Sequence, residues 1–206
     1  GLELAWLYTG AGDDTYDTRG VDSVSSTHGR SHYFDSGAGD DRFATDYGSK
    51  AALGLANFAA GDGYDRLILD WGDAASAVTY ESNSNGTYYR TFDNVFGNMY
   101  QVFSGVEEID ITTGSAGDDV QAMGGRDRFV THAGNDKIHG ADKGDIIDAG
   151  AGTDWASLDL SFDPATEVDP AEDITFSLLG NQTQEAIWFS GTDDETRVSG
   201  LEQAWL

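Results

Sequence analysis

An apolar side chain returns every nine residues through the middle of the chain: Val120, Phe129, Ile138, Ile147 and Ala156. Two residues ahead of each stands an aspartate, so Asp118, Asp127, Asp136, Asp145 and Asp154 keep the same interval. Glycine-bearing stretches precede these acids. A helix is the wrong host, because glycine and aspartate at such places oppose it. The pattern predicts five nonapeptides over residues 113–157, in which six residues ending in aspartate turn and three form a short strand with its middle side chain inward. Two nonapeptides make one flattened coil, so every eighteen residues stack on the previous eighteen at the parallel-strand spacing of about 4.8 Å. The acids then line two edges, with Asp118, Asp136 and Asp154 on one and Asp127 and Asp145 on the other.

An earlier stretch carries the same signal. YTGAGDDTYD (8–17) and DSGAGDDRFATD (35–46) place Asp14 and Asp41 two residues before Tyr16 and Phe43. Counting by nines from Thr9 keeps step through Ala44, but Ser23 and His32 fall where aspartate belongs, so fewer or weaker ions are expected here. A last match, Ala60 to Asp65 with Leu67 behind it, follows the insert SKAALGLANFA (49–59), read as a short helix or a loop.

A longer unit contains these arrays. GLELAWLYTGAGDD opens the chain, SGVEEIDITTGSAGDD spans 104–119 and SGLEQAWL closes it, which makes Leu2, Val106 and Leu201 equivalent. GYDRLILDW (63–71) likewise matches GTDWASLDL (152–160). Alternating runs such as AVTYES, TYYRTF, MYQVFSG, DITFSLLG and EAIWFSG follow, and they read as antiparallel strands, with Asn85-Gly86 and Gly180-Asn181 as turns. The expected fold is all-β, with two nonapeptide solenoid arrays in tandem, each followed by a strand-rich antiparallel segment. The first unit covers 1–104 (array 8–68, strand-rich segment 69–104). The second covers 105–206 (array 113–158, strand-rich segment 159–206). Because the chain stops midway through the motif that opens it, a piece of a longer repeating protein is expected.

Charge sharpens this picture. The formal net charge is −26, from 37 acids against 11 bases, and 28 of the acids are aspartate. Nucleic acid and anionic membrane would repel such a chain. There is no cysteine, so thiolate sites and disulfides are excluded. No run of 18 apolar residues suggests a membrane span, and no charged leader with an apolar core opens the chain. The short carboxylate suits turns and oxygen-ligand metal loops. Stacked carboxylates some 4 Å apart repel by roughly 1 kcal/mol in water and about 4 at an effective dielectric of 20. A divalent cation relieves that repulsion, and calcium, with six to eight flexible oxygen ligands, suits it better than magnesium.

These turns resemble the RTX, or hemolysin-type, calcium-binding repeat G-G-x-G-x-D-x-U-x, with U apolar. Ala149 to Asp154 and Thr131 to Asp136 match it well, while Gly140 to Asp145 misplaces the second glycine by one position. The resemblance implies a parallel β-roll. It also implies several Ca²⁺ ions at Asp118, Asp127, Asp136, Asp145, Asp154, Asp14, Asp41 and Asp65. Export by type I secretion and folding outside the bacterial cell or on its surface follow from the same likeness. Adhesins, toxins, proteases, lipases and alginate epimerases share these repeats. No HExxH or G-x-S-x-G pattern accompanies them, and His28, His32, His132 and His139 read as surface residues, so no catalysis is expected. The expected role is a structural or adhesin spacer whose partners are calcium and neighbouring repeat units. Two alternatives stay open: a calcium-dependent module that reads cell-surface glycan through Trp6, Trp205 or tyrosine and aspartate clusters, and the non-catalytic tail of a secreted enzyme or toxin. Leu2, Ala5 and Leu7 should face inward, which turns Trp6 and Trp205 outward; Trp155 also flanks an inward place, and packing against a neighbouring unit or strand segment is the favoured role of these rings over stacking on sugar.

Overall fold

A computed structural model describes residues 5–20, 32–46, 56–82, 88–92, 101–142, 144–158, 174–175, 185–189, 196–201 and 203–205. Within them every regular element is a strand. The first half holds β1 (Ala5–Ala11), β2 (Thr15–Asp17), β3 (His32–Ala38), β4 (Arg42–Asp46), β5 (Ala56–Ala59), β6 (Arg66–Asp70), β7 (Val78–Ser82), β8 (Tyr88–Phe92) and β9 (Gln101–Ser104). There follow β10 (Glu108–Thr112), β11 (Asp119–Gln121), β12 (Arg128–Val130), β13 (Ala133–Gly134), β14 (Lys137–Ala141), β15 (Ile146–Asp148), β16 (Ala151–Gly152) and β17 (Trp155–Leu158). The last four are β18 (Ile174–Thr175), β19 (Glu185–Phe189), β20 (Thr196–Ser199) and β21 (Gln203–Trp205).

Successive strands alternate between two large, mainly parallel sheets. The first runs β1-β3-β5-β9-β8-β7-β11-β14-β17-β21, and the second runs β18-β19-β20-β15-β12-β10-β6-β4-β2. In the nonapeptide region each strand pairs with the one eighteen residues on, as in Asp110↔Arg128, Asp119↔Lys137 and Arg128↔Ile146. That offset is the one expected from a half-coil of nine. The first half differs. Ala5 pairs with His32 and Thr15 with Arg42, an offset of 27; His32 pairs with Ala56 and Arg42 with Arg66, an offset of 24. His32 therefore opens a strand in register with Ala5 rather than a separate half-coil, and the end of the supposed helix or loop insert is β5.

Among the described residues antiparallel pairing occurs in two places. There β8 joins β7 and β9, and β19 joins β18 and β20, so the alternating runs do form meanders. Neither breaks the sheets: β10 pairs directly with β6 in the second sheet, so pairing passes across the 104/105 boundary. Asn85-Gly86 and Gly180-Asn181 lie outside the described residues.

Inward side chains from both sheets form one core. Val120, Phe129, Ile138, Ile147 and Ala156, the five residues singled out by period, are all buried in it. The wider first half is filled with rings instead. Phe58 stacks on Phe34 at 5.4 Å and on Phe43 at 5.3 Å, and Phe43 reaches Tyr16 at 5.7 Å. Deleting a ring at the centre of that stack leaves a void that close-packed backbone cannot collapse into. Phe58→Ala is expected to cost about 3–5 kcal/mol in a denaturant melt at fixed calcium, and Phe58→Leu less than half as much.

Candidate metal centre

The chain enters six parallel strands of the second sheet through an acid: Asp14, Asp41, Asp65, Glu107, Asp127 and Asp145 stand just before β2, β4, β6, β10, β12 and β15. Hydrogen bonds tie them into two runs along one edge. The Asp14 N–H donates to Asp41 Oδ1 at 2.7 Å, Asp41 N–H to Asp65 Oδ1 at 2.8 Å and Asp65 N–H to Glu107 Oε2 at 2.8 Å. Ile109 N–H donates to Asp127 Oδ1, and Asp127 N–H to Asp145 Oδ1, both at 2.8 Å. On the first-sheet edge Val78 N–H donates to Asp118 Oδ1, Asp118 N–H to Asp136 Oδ1 and Asp136 N–H to Asp154 Oδ1, each at 2.8 Å.

The two edges expected for the nonapeptides are thus present, and the first half adds Asp14, Asp41 and Asp65 to the Asp127 edge. Glu107 ends the first run by accepting Asp65 N–H, a place the repeat pattern did not predict. A signal was available, since an apolar residue followed by glutamate recurs at Leu2-Glu3, Val106-Glu107 and Leu201-Glu202.

Burial sets the electrostatics. Asp41, Asp65, Asp118, Asp127, Asp136, Asp145 and Asp154 are all buried to within 2% of completely, whereas Asp14 at the end of the row is half-buried. Loss of hydration pushes the Asp145 carboxyl up to about 8, helped by the Asp127 charge beside it. Burial raises Asp127 to about 7 against the pull of the Ile109 and Met123 N–H groups, and Asp65 to about 6. It raises Asp118 and Asp136 too.

The second carboxylate oxygens divide the residues. Oδ2 of Asp41, Asp65, Asp118 and Asp136 is buried without a hydrogen-bond partner. The Thr113 and Thr131 hydroxyls lie near Asp118 and Asp136 and pull those carboxyls down somewhat, yet Thr131 donates to the Ala149 carbonyl oxygen at 3.0 Å and Thr113 is out of hydrogen-bonding geometry. Asp127 Oδ2 instead accepts Met123 N–H at 2.6 Å, and Asp145 Oδ2 accepts Asp142 N–H at 2.8 Å.

Main-chain oxygen is packed against the same turns. A Cβ placed on Gly134 would lie 2.3 Å from the Ala116 carbonyl oxygen, and one on Gly152 would lie 1.5 Å from that of Gly134. Among the described residues no three His, Asp or Glu side chains converge on a point. A cation here would therefore draw on one carboxylate per turn and on main-chain oxygen, a hard-ligand set that suits calcium. The residues fit such an ion, because a buried carboxylate oxygen with no donor is a costly vacancy in the hydrogen-bond network unless something positive faces it.

Histidine and tryptophan lie elsewhere. His132 is exposed in a turn with φ 53°, its Nδ1 2.9 Å from the Thr113 carbonyl oxygen. His139 pairs with Asp119 at 3.0 Å and meets Trp155 edge-on at 4.8 Å. Trp6 is 66% exposed and Tyr8 63%, their rings 6.3 and 5.7 Å from Tyr33. Leu7, expected inward, is 37% exposed because β1 is an edge strand with nothing packed beyond it among the described residues. Leu2, Ser23, His28 and the side chain of Trp205 lie outside them. No protein-family model matches the chain, and a search of curated proteins finds no significant match.

Proposed function

We propose that this chain is a calcium-binding β-roll segment of RTX type, built as two tandem arrays in a large secreted or surface-attached bacterial protein. Its role is that of a non-catalytic structural or adhesin spacer. The observation that carries this reading is the set of buried, donor-less Oδ2 atoms on Asp41, Asp65, Asp118 and Asp136. Calcium would supply positive charge and a shell that accepts several oxygens at once. The chain's own residues do the rest: glycines let the turns approach, main-chain N–H groups fix each Oδ1, and burial leaves the remaining oxygen dependent on the ion. At submicromolar calcium the buried acids oppose closure of the coil, and at extracellular levels ion binding and folding coincide.

Far-UV circular dichroism during a calcium titration of chelator-treated protein tests this. Strand signal is expected to rise between about 10⁻⁴ and 10⁻³ M calcium, as for extracellular modules, and magnesium should not replace it. A spectrum unchanged in excess chelator would sink the reading. The exposed Trp6 and Tyr8 rings, packed beside half-buried Tyr33, favour a second role in reading glycan. A glycan array with and without calcium separates the two, since a pure spacer gives no hit.

A further inference from the structure

We infer that the acid rows are divided: Asp41, Asp65, Asp118 and Asp136 are open to a divalent cation, whereas at Asp127 and Asp145 the chain closes its own turns and takes none. This deepens the calcium reading and rests on it. The division follows the fate of Oδ2. In the first four residues that atom is buried and lacks a donor. In Asp127 both oxygens are engaged, Oδ1 by Ile109 N–H at 2.8 Å and Oδ2 by Met123 N–H at 2.6 Å. In Asp145 they are engaged by Asp127 N–H and Asp142 N–H, both at 2.8 Å. Met123 and Asp142 belong to the same turns as the acids they cap, so this closure is local.

The sequence of these turns supplies a second, independent reason. Residues 122–127 read AMGGRD, with an arginine directly before the acid, and residues 140–145 read GADKGD, with the second glycine displaced. The Arg126 side chain reaches over the following turn: a Cβ on Gly144 would sit 3.2 Å from Arg126 Cγ and 4.0 Å from its Nε. The Arg126 side chain thus packs along the turn that carries Asp145. Neighbouring Glu107 extends the closed stretch, since its Oε2 accepts Asp65 N–H while Tyr64 donates to Glu108 Oε2 at 3.2 Å and Arg66 pairs with Glu108 at 3.0 Å. Cations would then sit in two separate groups on opposite edges, one at Asp41 and Asp65 in the first half and one at Asp118 and Asp136 in the second, with the self-closed turns continuing the edge that carries Asp41 and Asp65.

Crystals of the whole chain grown with Tb³⁺ in place of calcium test this by anomalous diffraction. Peaks within about 2.6 Å of carboxylate oxygens are expected at Asp41, Asp65, Asp118 and Asp136, with none at Asp127 or Asp145. A peak at either of the latter overturns the division and leaves the calcium reading intact; absence of every peak overturns both. In solution, Asp127→Asn and Arg126→Gln should leave the number of bound calcium ions per chain unchanged, while Asp136→Asn lowers it. Should Asp136→Asn fail to fold, Asp65→Asn in the other group provides the comparison. A drop in bound calcium in Asp127→Asn that matches the drop in either of these variants counts against the division.

Discussion

Gly150→Val is expected to prevent the second half from folding even at calcium levels that saturate the parent chain. Gly150 sits at φ 80°, a backbone conformation that side chains with a branched Cβ avoid. Its missing Cβ would also lie 1.8 Å from the His132 carbonyl oxygen and 2.5 Å from the carbonyl carbon. Backbone cannot swing aside as a side chain does, so the turn at 149–154 must lift off the turn at 131–136. That separation would break Ala151 N–H to His132 O, and with it the pairing of β13 with β16. Conformational strain and lost stacking act together, and the combined cost should exceed about 4 kcal/mol, the range reserved for the most damaging substitutions. Gly124, where an added Cβ meets nothing within 4 Å, is the control: Gly124→Ala should change the unfolding free energy from a urea melt by less than about 0.5 kcal/mol. Equal damage from both would show that turn contact is not what glycine provides.

Acid should stabilise the metal-free chain. Asp127 and Asp145 titrate at about 7 and about 8 in the fold, far above the value near 3.9 of an unfolded aspartate. Between roughly pH 4 and 8 the native chain thus binds more protons than the unfolded one, and metal-free stability falls as pH rises through that window. At about 1.4 kcal/mol per tenfold change in proton affinity, Asp127 alone costs the ionised fold roughly 4 kcal/mol. In excess chelator, strand signal is expected to grow as pH is lowered from 8 to 4.5. In saturating calcium the trend reverses, because protons compete with the ion for Asp65, Asp118 and Asp136. A metal-free chain that loses strand signal on acidification would contradict both the burial and the sign.

The second half was readable from its letters because one short period fixes everything there: nine residues set the half-coil, the pairing offset, the inward residue and the edge on which each acid falls. The first half hid its plan. Its coils take 27 and then 24 residues, and 27 is three nonapeptides, so counting by nines stays in step while the number of strands per coil is misjudged. Glu107 escaped because it ends no glycine turn, and its longer side chain reaches the place an aspartate fills elsewhere. Least legible was the fate of Oδ2. Asp127 and Asp136 occupy the same place in the repeat, and only the path of the preceding backbone decides whether an N–H meets the second oxygen.

One detail of the strand order sets which way this molecule faces. Three consecutive strands of the first meander, β7 to β9, stay in the first sheet, whereas the corresponding β18 to β20 stay in the second. Equivalent strands consequently change sides: β1 lies in the first sheet and β10 in the second. The outward place held by Trp6 beside Tyr33 on one flank is held by Asp110 beside Arg128 on the other, and that pair is an ion pair at 3.1 Å. A polymer made by repeating this plan would be Janus-like, showing its decoration to left and right in turn, so two identical docking spots would recur on one flank only at every second copy.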